Sequence, residues 1–154
     1  MVGTPRISTD KTYGSQVLDK TIERLNSTVD QRRRYEYILW LAKKFPQMPN
    51  ELLAKAIKVK GCVSEVYVLG ELVDGKIKWQ GFSDALITKG LLALLIQGLN
   101  DLSPEEVIAI DPEFIEATGL QASLTPSRAN GFLNILLNMQ AQARELAISK
   151  TEET

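Results

Sequence analysis

A chain of 154 residues, 44% of them hydrophobic and 24% charged, is long enough to bury the core of one domain and too short for two ordinary domains. Histidine is absent and cysteine occurs once, which excludes histidine-based catalysis, histidine metal sites, internal disulfides and clusters held by several thiolates. The formal net charge is −1, and we find no secretory signal or membrane-length apolar run, so we expect a cytoplasmic protein.

The first sixty residues predict a tail, three helices and a short strand. Residues 1–14 combine glycine, proline and small polar residues with few large apolar ones, which is typical of a flexible tail. The third helix is predicted to extend to about Ala56, after which Ile57 and Val59 alternate with lysines as in a short strand. Each helix is expected to open at a capping side chain: Ser15, Asp30 and Asn50.

The clearest pattern is that of a β-hairpin. Residues 63–73 and 76–82 flank Asp74-Gly75, the pair favoured in a two-residue type I′ turn. That turn fixes the register and places Trp79 opposite Gly70, where the missing side chain leaves room for the indole. The predicted core face of the hairpin comprises Val66, Val68, Leu72, Ile77 and Trp79.

The remaining residues predict helices. One, opening at Ser83 or Asp84, is apolar nearly all round and should lie in the centre of the domain, against the core face of the hairpin. Others open at Ser103, Asp111 and Thr125, each followed directly by proline.

These elements predict an α+β fold, in which a small antiparallel sheet, made of the hairpin plus a short strand, packs against several helices. We find no repeat and no linker. We therefore expect one domain over residues 15–148, between flexible tails over 1–14 and 149–154.

Cys62 stands where a basic segment turns into the first strand of the hairpin. One interpretation is a small buried apolar residue, since free cysteine is commonly buried. A reactive thiol is favoured by Gly61, which permits a turn and close approach, and by Lys58 and Lys60, whose charge favours the thiolate. Cys62 also shares the strand parity of Val66, so we expect its sulfur to face the core.

Basic residues are concentrated in the first sixty positions, above all at Arg32, Arg33 and Arg34. A solvated helix face is the ordinary interpretation, and a surface that docks a protein partner is the functional one. We do not expect nucleic-acid binding, because no nucleic-acid motif and no interleaved exposed aromatics accompany these residues.

Several segments occur in the order and spacing of one known family. They are Lys43-Lys44-Phe45-Pro46 with Pro49, Gly61-Cys62-Val63-Ser64-Glu65-Val66-Tyr67, Gly81-Phe82-Ser83-Asp84-Ala85, Lys89-Gly90-Leu91, and Leu124-Thr125-Pro126-Ser127-Arg128-Ala129-Asn130-Gly131. From about Arg34 to Met139 the chain thus resembles the SufE family of sulfur acceptors, partners of pyridoxal-phosphate-dependent cysteine desulfurases in iron–sulfur cluster assembly.

The resemblance implies that Cys62 takes sulfur from the persulfide of a SufS-like cysteine desulfurase, stimulates that enzyme and passes the sulfur to a SufBCD-like scaffold complex. It implies a fold like that of SufE and of IscU-type scaffold proteins. The protein would then be a partner of an enzyme rather than an enzyme, with no cofactor, metal or membrane of its own. Attack on an outer persulfide sulfur needs one thiolate and no general base, so this chain has the residues required.

Three alternatives remain open. A related acceptor could serve another desulfurase and deliver sulfur elsewhere, for example to tRNA modification. A non-catalytic adaptor would contain Cys62 only as a core residue. An iron–sulfur scaffold is disfavoured because a single cysteine cannot hold a cluster. A homodimer is compatible with the sequence.

The resemblance also implies supporting roles beside Gly61. Asp84 would lie next to the cysteine loop, although it could simply be a helix N-cap. Arg128 would hold the loop or contact the desulfurase, unless it forms an ordinary salt bridge or is solvated. Ser64 would hydrogen-bond near the thiol, unless it is an ordinary strand residue.

Two positions depart from the family pattern. Tyr67 stands where many relatives have tryptophan, and Phe82 stands where many have an acid. The predicted register pairs Phe82 with Tyr67 on the outer face of the hairpin. We therefore expect an exposed aromatic patch there that alters the partner surface and leaves sulfur acceptance intact.

Overall fold

The computed structural model describes residues 12–62 and 64–153. Within them, the chain forms one three-stranded antiparallel sheet. Its strands, in the spatial order β1-β2-β3, are β1 (Ile57–Lys58), β2 (Val66–Val73) and β3 (Lys76–Ser83). The sheet therefore consists of the predicted hairpin plus one short strand.

The turn and the register of the hairpin are those predicted. Asp74 and Gly75 have φ values of 52° and 80°, the two left-handed conformations that a type I′ turn requires. Trp79 lies opposite Gly70, and a Cβ on Gly70 would lie 2.6 Å from Trp79 Cζ3, so only glycine leaves room for the indole. The predicted core face is buried apart from Leu72, which is half-buried.

Helices pack around this sheet and give the α+β fold predicted from the sequence. Within the described part of the chain they are α1 (Gln16–Asn26), α2 (Gln31–Lys44), α3 (Asn50–Leu53), α4 (Leu86–Leu99), α5 (Pro104–Ile108), α6 (Phe114–Ala117) and α7 (Pro126–Glu153), with a 3₁₀ turn over Leu120–Ser123. None of these described helices has the length and hydropathy needed to cross a bilayer.

Helix α4 lies at the centre of the domain, as its apolar sequence predicts. It contacts α1, α2, α7 and β3. Two glycines permit this crowding: a Cβ at Gly90 would overlap Ile38 of α2, and a Cβ at Gly98 would overlap Leu18 of α1. These elements share one hydrophobic core.

Side-chain caps open several helices where the sequence predicts them. Ser15 Oγ accepts from Leu18 N at 3.2 Å, and Ser103 forms a capping box with Glu106. The prediction for α3 is wrong, because Asn50 is its first helical residue and makes no side-chain cap. Pro49 takes the extended N-cap position instead, and the helix is shorter than predicted.

The predicted start of α4 is also wrong. The helix begins at Leu86, and Ala85 is the residue before it, with no side-chain cap. The physical reason is that the carboxylate of Asp84 accepts from Glu65 N at 3.0 Å and Ser83 Oγ accepts from Ala85 N at 3.2 Å, so neither side chain reaches the helix.

A few residues of each predicted tail are described by the structure, at the N-terminal end beside the domain and at the C-terminal end in a helix. Tyr13 is buried, donates its N–H to Asp19 Oδ1 at 3.0 Å and accepts from Asp111 N at 3.1 Å. Residues 1–11 of the predicted tail lie outside the described residues. Helix α7 continues to Glu153, so the segment after residue 148 extends that helix.

A glutamine side chain completes the outer edge of β2. Strand β1 pairs with β2 only at Tyr67 and Val68. Beyond that point, Gln142 of α7 donates to Val68 O and accepts from Gly70 N, both at 3.0 Å. The amide thus takes the place of one residue of a neighbouring strand.

Candidate functional site

Cys62 lies in the loop between β1 and β2. Val59 N donates to Val66 O at 2.8 Å and closes the base of this loop. Gly61 has a φ of 82°, a left-handed conformation that favours glycine, and it turns the chain just before the cysteine. Val63 lies outside the described residues.

The sulfur of Cys62 faces inward, toward the start of α7. Cys62 is half-buried against the core, and its Sγ donates to Gly131 O at 3.7 Å. A Cβ on Gly131 would lie 3.5 Å from Sγ, in ordinary contact. The inward direction was expected from strand parity, but β2 begins only at Val66, so the turn at Gly61 sets the direction instead.

Asn134 holds the cysteine loop on α7. Its Nδ2 donates to Gly61 O at 3.0 Å, and a Cβ on Gly61 would lie 2.5 Å from that nitrogen. We did not predict this residue from the sequence. The feature of the sequence that could have identified it is an amide side chain three residues after Gly131, on the same helix face as the glycine that contacts the sulfur.

Asp84 fixes the other end of the loop. Its carboxylate accepts from Glu65 N at 3.0 Å, and Asp84 N donates to Glu65 O at 3.1 Å. The alternative role of Asp84 as a helix N-cap is therefore wrong, and its side chain lies next to the segment that carries Cys62.

A cavity of about 260 Å³ opens beside the sulfur. Arg128 lines it with an exposed side chain, and no described carboxylate forms an ion pair with its guanidinium. Ser64 Oγ lies 3.4 Å from Thr88 Oγ1. The cavity is lined by Cys62, Ser64, Thr88, Thr125, Ser127, Arg128 and Gly131.

The structure thus brings together Cys62, Ser64 and Arg128, and it places Gly61 and Asp84 at the two ends of the loop. Thr88 is a site residue that the sequence analysis did not identify. The feature of the sequence that could have identified it is a hydroxyl on the first turn of the mainly apolar α4.

Burial raises the pKa of the Cys62 thiol above its ordinary value. Lys58 and Lys60 were expected to favour the thiolate, whereas burial, which favours the neutral thiol, is the cause of the pKa shift, and Lys58 Nζ pairs with Glu65 Oε1 at 3.3 Å. Hydrogen bonds from Tyr67 and Lys58 lower the pKa of Glu65. The lysine charge is therefore compensated by a carboxylate, and the resting thiol is neutral.

The three arginines of the basic run on α2 have different surroundings, and the docking surface stays a prediction. Arg34 donates to Leu25 O at 3.0 Å, Thr28 O at 2.8 Å and Gly119 O at 3.3 Å, so it holds loops together. Arg32 pairs with Glu36 at 3.5 Å, whereas Arg33 is exposed.

The two residues that depart from the family pattern contact each other. Tyr67 and Phe82 pair across β2 and β3, with ring centroids 6.2 Å apart. Both are half-buried, and the Tyr67 hydroxyl donates to Glu65 Oε2 at 2.9 Å. They form a partly exposed aromatic pair on the outer face of the sheet.

Residues 19–143 match the family model described as "SufE: Fe-S metabolism associated domain". An uncharacterized SufE-like protein of Synechocystis sp. is 56% identical over 126 residues, which cover 82% of this chain and 79% of that protein.

Two longer relatives match over much of this chain. A cysteine desulfuration protein SufE of Plasmodium vivax is 42% identical over 116 residues, or 73% of this chain. SufE-like protein 1, chloroplastic/mitochondrial, of Arabidopsis thaliana is 33% identical over 138 residues, or 89% of this chain. The chain covers only 46% and 37% of the lengths of these two proteins.

The fold is also similar to that of a solved structure. The solution structure of a hypothetical protein from Thermus thermophilus matches with a TM-score of 0.75 and 28% sequence identity. The match covers 85% of this chain and 96% of that chain.

Proposed function

The chain belongs to the SufE family, and on that basis we propose that Cys62 accepts sulfur from the persulfide of a SufS-like, pyridoxal-phosphate-dependent cysteine desulfurase. The observation that carries the proposal is the sulfur of Cys62 beside a cavity that has room for a second sulfur atom. Cys62 is the single cysteine of the chain, so it is the one thiol that can form a persulfide here.

The transfer step balances without an oxidant. The Cys62 thiolate attacks the outer sulfur of the donor persulfide, and a new S–S bond forms as the donor S–S bond breaks. The donor cysteine leaves as a thiolate and takes up the proton that Cys62 has lost. The chain needs no cofactor for this step, since the desulfurase has already cleaved the C–S bond with its own pyridoxal phosphate.

The cavity suits the product of that step. The outer sulfur of the persulfide lies about 2 Å beyond Sγ. Thr88, Thr125 and Arg128 line the same space, and hydroxyl and guanidinium groups of this kind stabilise an anionic sulfur. The inward position also limits reaction with stray thiols and oxidants.

The proposal extends to the partners. The protein stimulates the desulfurase by removing its sulfur, and in the cytoplasm it passes that sulfur to a SufBCD-like scaffold complex. The same chemistry would serve a desulfurase that supplies tRNA modification. Deletion of the gene distinguishes the two recipients: loss of cluster enzymes with normal thiolated tRNA supports the first, and the reverse supports the second.

The test is intact mass spectrometry after incubation with the desulfurase and cysteine. We expect the wild type to gain the mass of one sulfur atom and the Cys62→Ser variant to gain none, because serine cannot form the disulfide bond. The added mass should disappear after treatment with a reductant. A variant Cys62→Ser that stimulates the desulfurase as strongly as the wild type would refute sulfur acceptance and favour an adaptor.

A further inference from the structure

One buried hydroxyl beside the sulfur has only a distant partner. Thr88 is 5% exposed and lines the cavity next to Cys62. Within the described part of the chain, its hydroxyl contacts only Ser64 Oγ, at 3.4 Å, whereas O–H···O hydrogen bonds usually measure about 2.5–3.0 Å. Buried polar groups normally have a closer partner. The hydroxyl of Thr88 is therefore available to an acceptor inside the cavity.

The two hydroxyls together leave one proton unused. Ser64 and Thr88 each carry one O–H group, and either oxygen can be the donor in the contact between them. That contact uses one of the two protons, and no other described residue accepts a hydrogen bond from either hydroxyl. Because both residues line the cavity, the pair supplies it with one free donor.

The resting thiol of Cys62 does not use this donor. Its Sγ donates to Gly131 O at 3.7 Å, and a neutral thiol is only a weak acceptor. In a persulfide, the outer sulfur lies about 2 Å beyond Sγ and becomes an anion when it loses its proton. Hydrogen bonds to charged groups are roughly twice as strong as those between neutral groups. The free donor thus gains a strong acceptor only after sulfur has been transferred.

The position of Thr88 makes its hydroxyl more effective than the charged group of the cavity. Arg128 is the one charged residue among the lining residues, and its side chain is exposed, so water and salt screen its charge. On the cysteine loop, Lys58 pairs with Glu65, and Asp84 accepts from the Glu65 N–H. A hydrogen bond from a buried hydroxyl acts in a region of lower dielectric constant and is stronger there.

We propose that the Thr88 hydroxyl donates a hydrogen bond to the outer sulfur of the Cys62 persulfide and holds that sulfur as an anion inside the cavity. In this arrangement Ser64 donates to Thr88 Oγ1 and polarises the donor. The inference rests on the proposed sulfur transfer at Cys62, and it identifies the residue that retains the sulfur after transfer. The donor is already in place where the negative charge will appear.

The single cysteine permits a test without the desulfurase. Inorganic polysulfide gives one sulfur atom to the Cys62 thiolate and leaves one atom shorter, and intact mass identifies the product with one added sulfur. The near-ultraviolet absorbance of the persulfide anion is then followed against pH. Thr88→Val keeps the shape of the side chain and removes the hydroxyl. Its midpoint should rise by about one pH unit, because the anion loses a hydrogen bond.

Further variants locate the effect. Thr88→Ala removes the same hydroxyl without adding a methyl group and should give a similar rise, whereas Thr88→Ser retains the hydroxyl and should keep the wild-type midpoint. The matched control is Thr21→Val, because Thr21 is also buried but donates to Val17 O at 2.8 Å, outside the cavity. Ser64→Ala should raise the midpoint by less than Thr88→Val, since the donor to the sulfur remains.

Each opposite result would overturn the proposal. An unchanged midpoint in Thr88→Val and Thr88→Ala, or equal shifts in Thr88→Val and Thr21→Val, would show that this hydroxyl does not bind the outer sulfur. A larger shift in Ser64→Ala than in Thr88→Val would assign the contact to Ser64 instead. Failure of the desulfurase to load Cys62 would refute the proposed function alone, because the persulfide in this experiment is made chemically.

Discussion

Burial raises the pKa of the Cys62 thiol, so near neutral pH the sulfur is held as S–H rather than as the thiolate that attacks a persulfide. The nearby Lys58 is paired with Glu65 and leaves this direction unchanged. A sulfur acceptor with a neutral resting thiol is inert toward most electrophiles. We therefore expect docking of the desulfurase to change the surroundings of Cys62 before transfer.

The raised pKa gives a prediction about pH. Alkylation of Cys62 by iodoacetamide should rise with pH through a midpoint above that of a free cysteine, because the neutral form is favoured. The free energy of unfolding should fall as pH rises from the unfolded pKa through the folded one, since the unfolded chain loses its proton first. Cys62→Ser should lack this fall, and a midpoint at or below that of free cysteine would contradict the prediction.

The turn before Cys62 gives a second prediction, from two left-handed glycines. Gly61→Ala should destabilise the fold by about 1–2 kcal/mol for its φ alone, plus the cost of the contact with Asn134. Gly75→Ala is the matched control, because its φ is 80° and no atom lies within 4 Å of the added Cβ. Chemical denaturation measures both.

If the two alanine variants lose equal stability, Asn134 does not restrain the loop. In a double-mutant cycle, Gly61→Ala should cost less stability in an Asn134→Ala background than in the wild type, by about the difference between the two glycine variants, since the truncated side chain no longer meets the new Cβ.

At single positions, the sequence predicts which residues belong to the site better than it predicts what those residues contact. Cys62 and Arg128 are recognisable from their motifs, and both line the cavity. Asn134 acts through a hydrogen bond to Gly61, 73 residues away in the chain, which no local pattern reveals. The pairing of Lys58 with Glu65 depends in the same way on how the loop folds back.

At the scale of secondary structure, capping chemistry separates correct from incorrect helix starts. Ser103→Ala should cost about 1 kcal/mol of stability, because the Glu106 N–H loses its acceptor in the capping box. Asn50→Ala should change stability by only a few tenths of a kcal/mol, since Asn50 makes no side-chain cap. Thermal denaturation compares the two variants, and equal losses of stability would indicate that Asn50 caps α3.

The hairpin was predictable because its register depends on a local turn. Asp74 and Gly75 fix the pairing of every residue in β2 and β3. The start of α4 was not predictable, because Asp84 has two possible acceptor roles. The tertiary contact with Glu65 is made and the local cap is not.

At the scale of the whole molecule, the arginines of α2 differ in role: one holds other segments together through hydrogen bonds, and another is exposed on the surface. Arg34→Gln should destabilise the domain by about 1–3 kcal/mol, because three carbonyls lose their donors. Arg33→Gln should leave stability within about 0.5 kcal/mol, since this side chain is exposed.

The Arg33→Gln variant also tests docking. We measure its affinity for the desulfurase at two salt concentrations. If α2 contributes to the interface, Arg33→Gln should bind more weakly than the wild type at low salt and equally well at high salt. An affinity unchanged at both concentrations would remove this face of α2 from the docking surface.

The α+β architecture could be predicted because the apolar patterns of the hairpin and α4 each require the other for burial. A second cavity, of about 490 Å³ beside Trp79, could not be predicted. Its walls come from α2, the loop after it, β3 and α4, and their spacing depends on packing rather than on any one pattern. The sequence showed the match of Trp79 with Gly70 and not the unpaired indole nitrogen behind it.

The amide of Gln142 has a consequence for self-association. A strand edge with free main-chain groups is a template on which a second chain can add, and repeated addition leads to fibres. Gln142 occupies the groups at Val68 and Gly70 that such a chain would need. On the far side, Leu102 O accepts from Ile77 N at 2.8 Å. The main-chain groups at Val68, Gly70 and Ile77 are therefore already taken, which disfavours addition of a second chain at these positions.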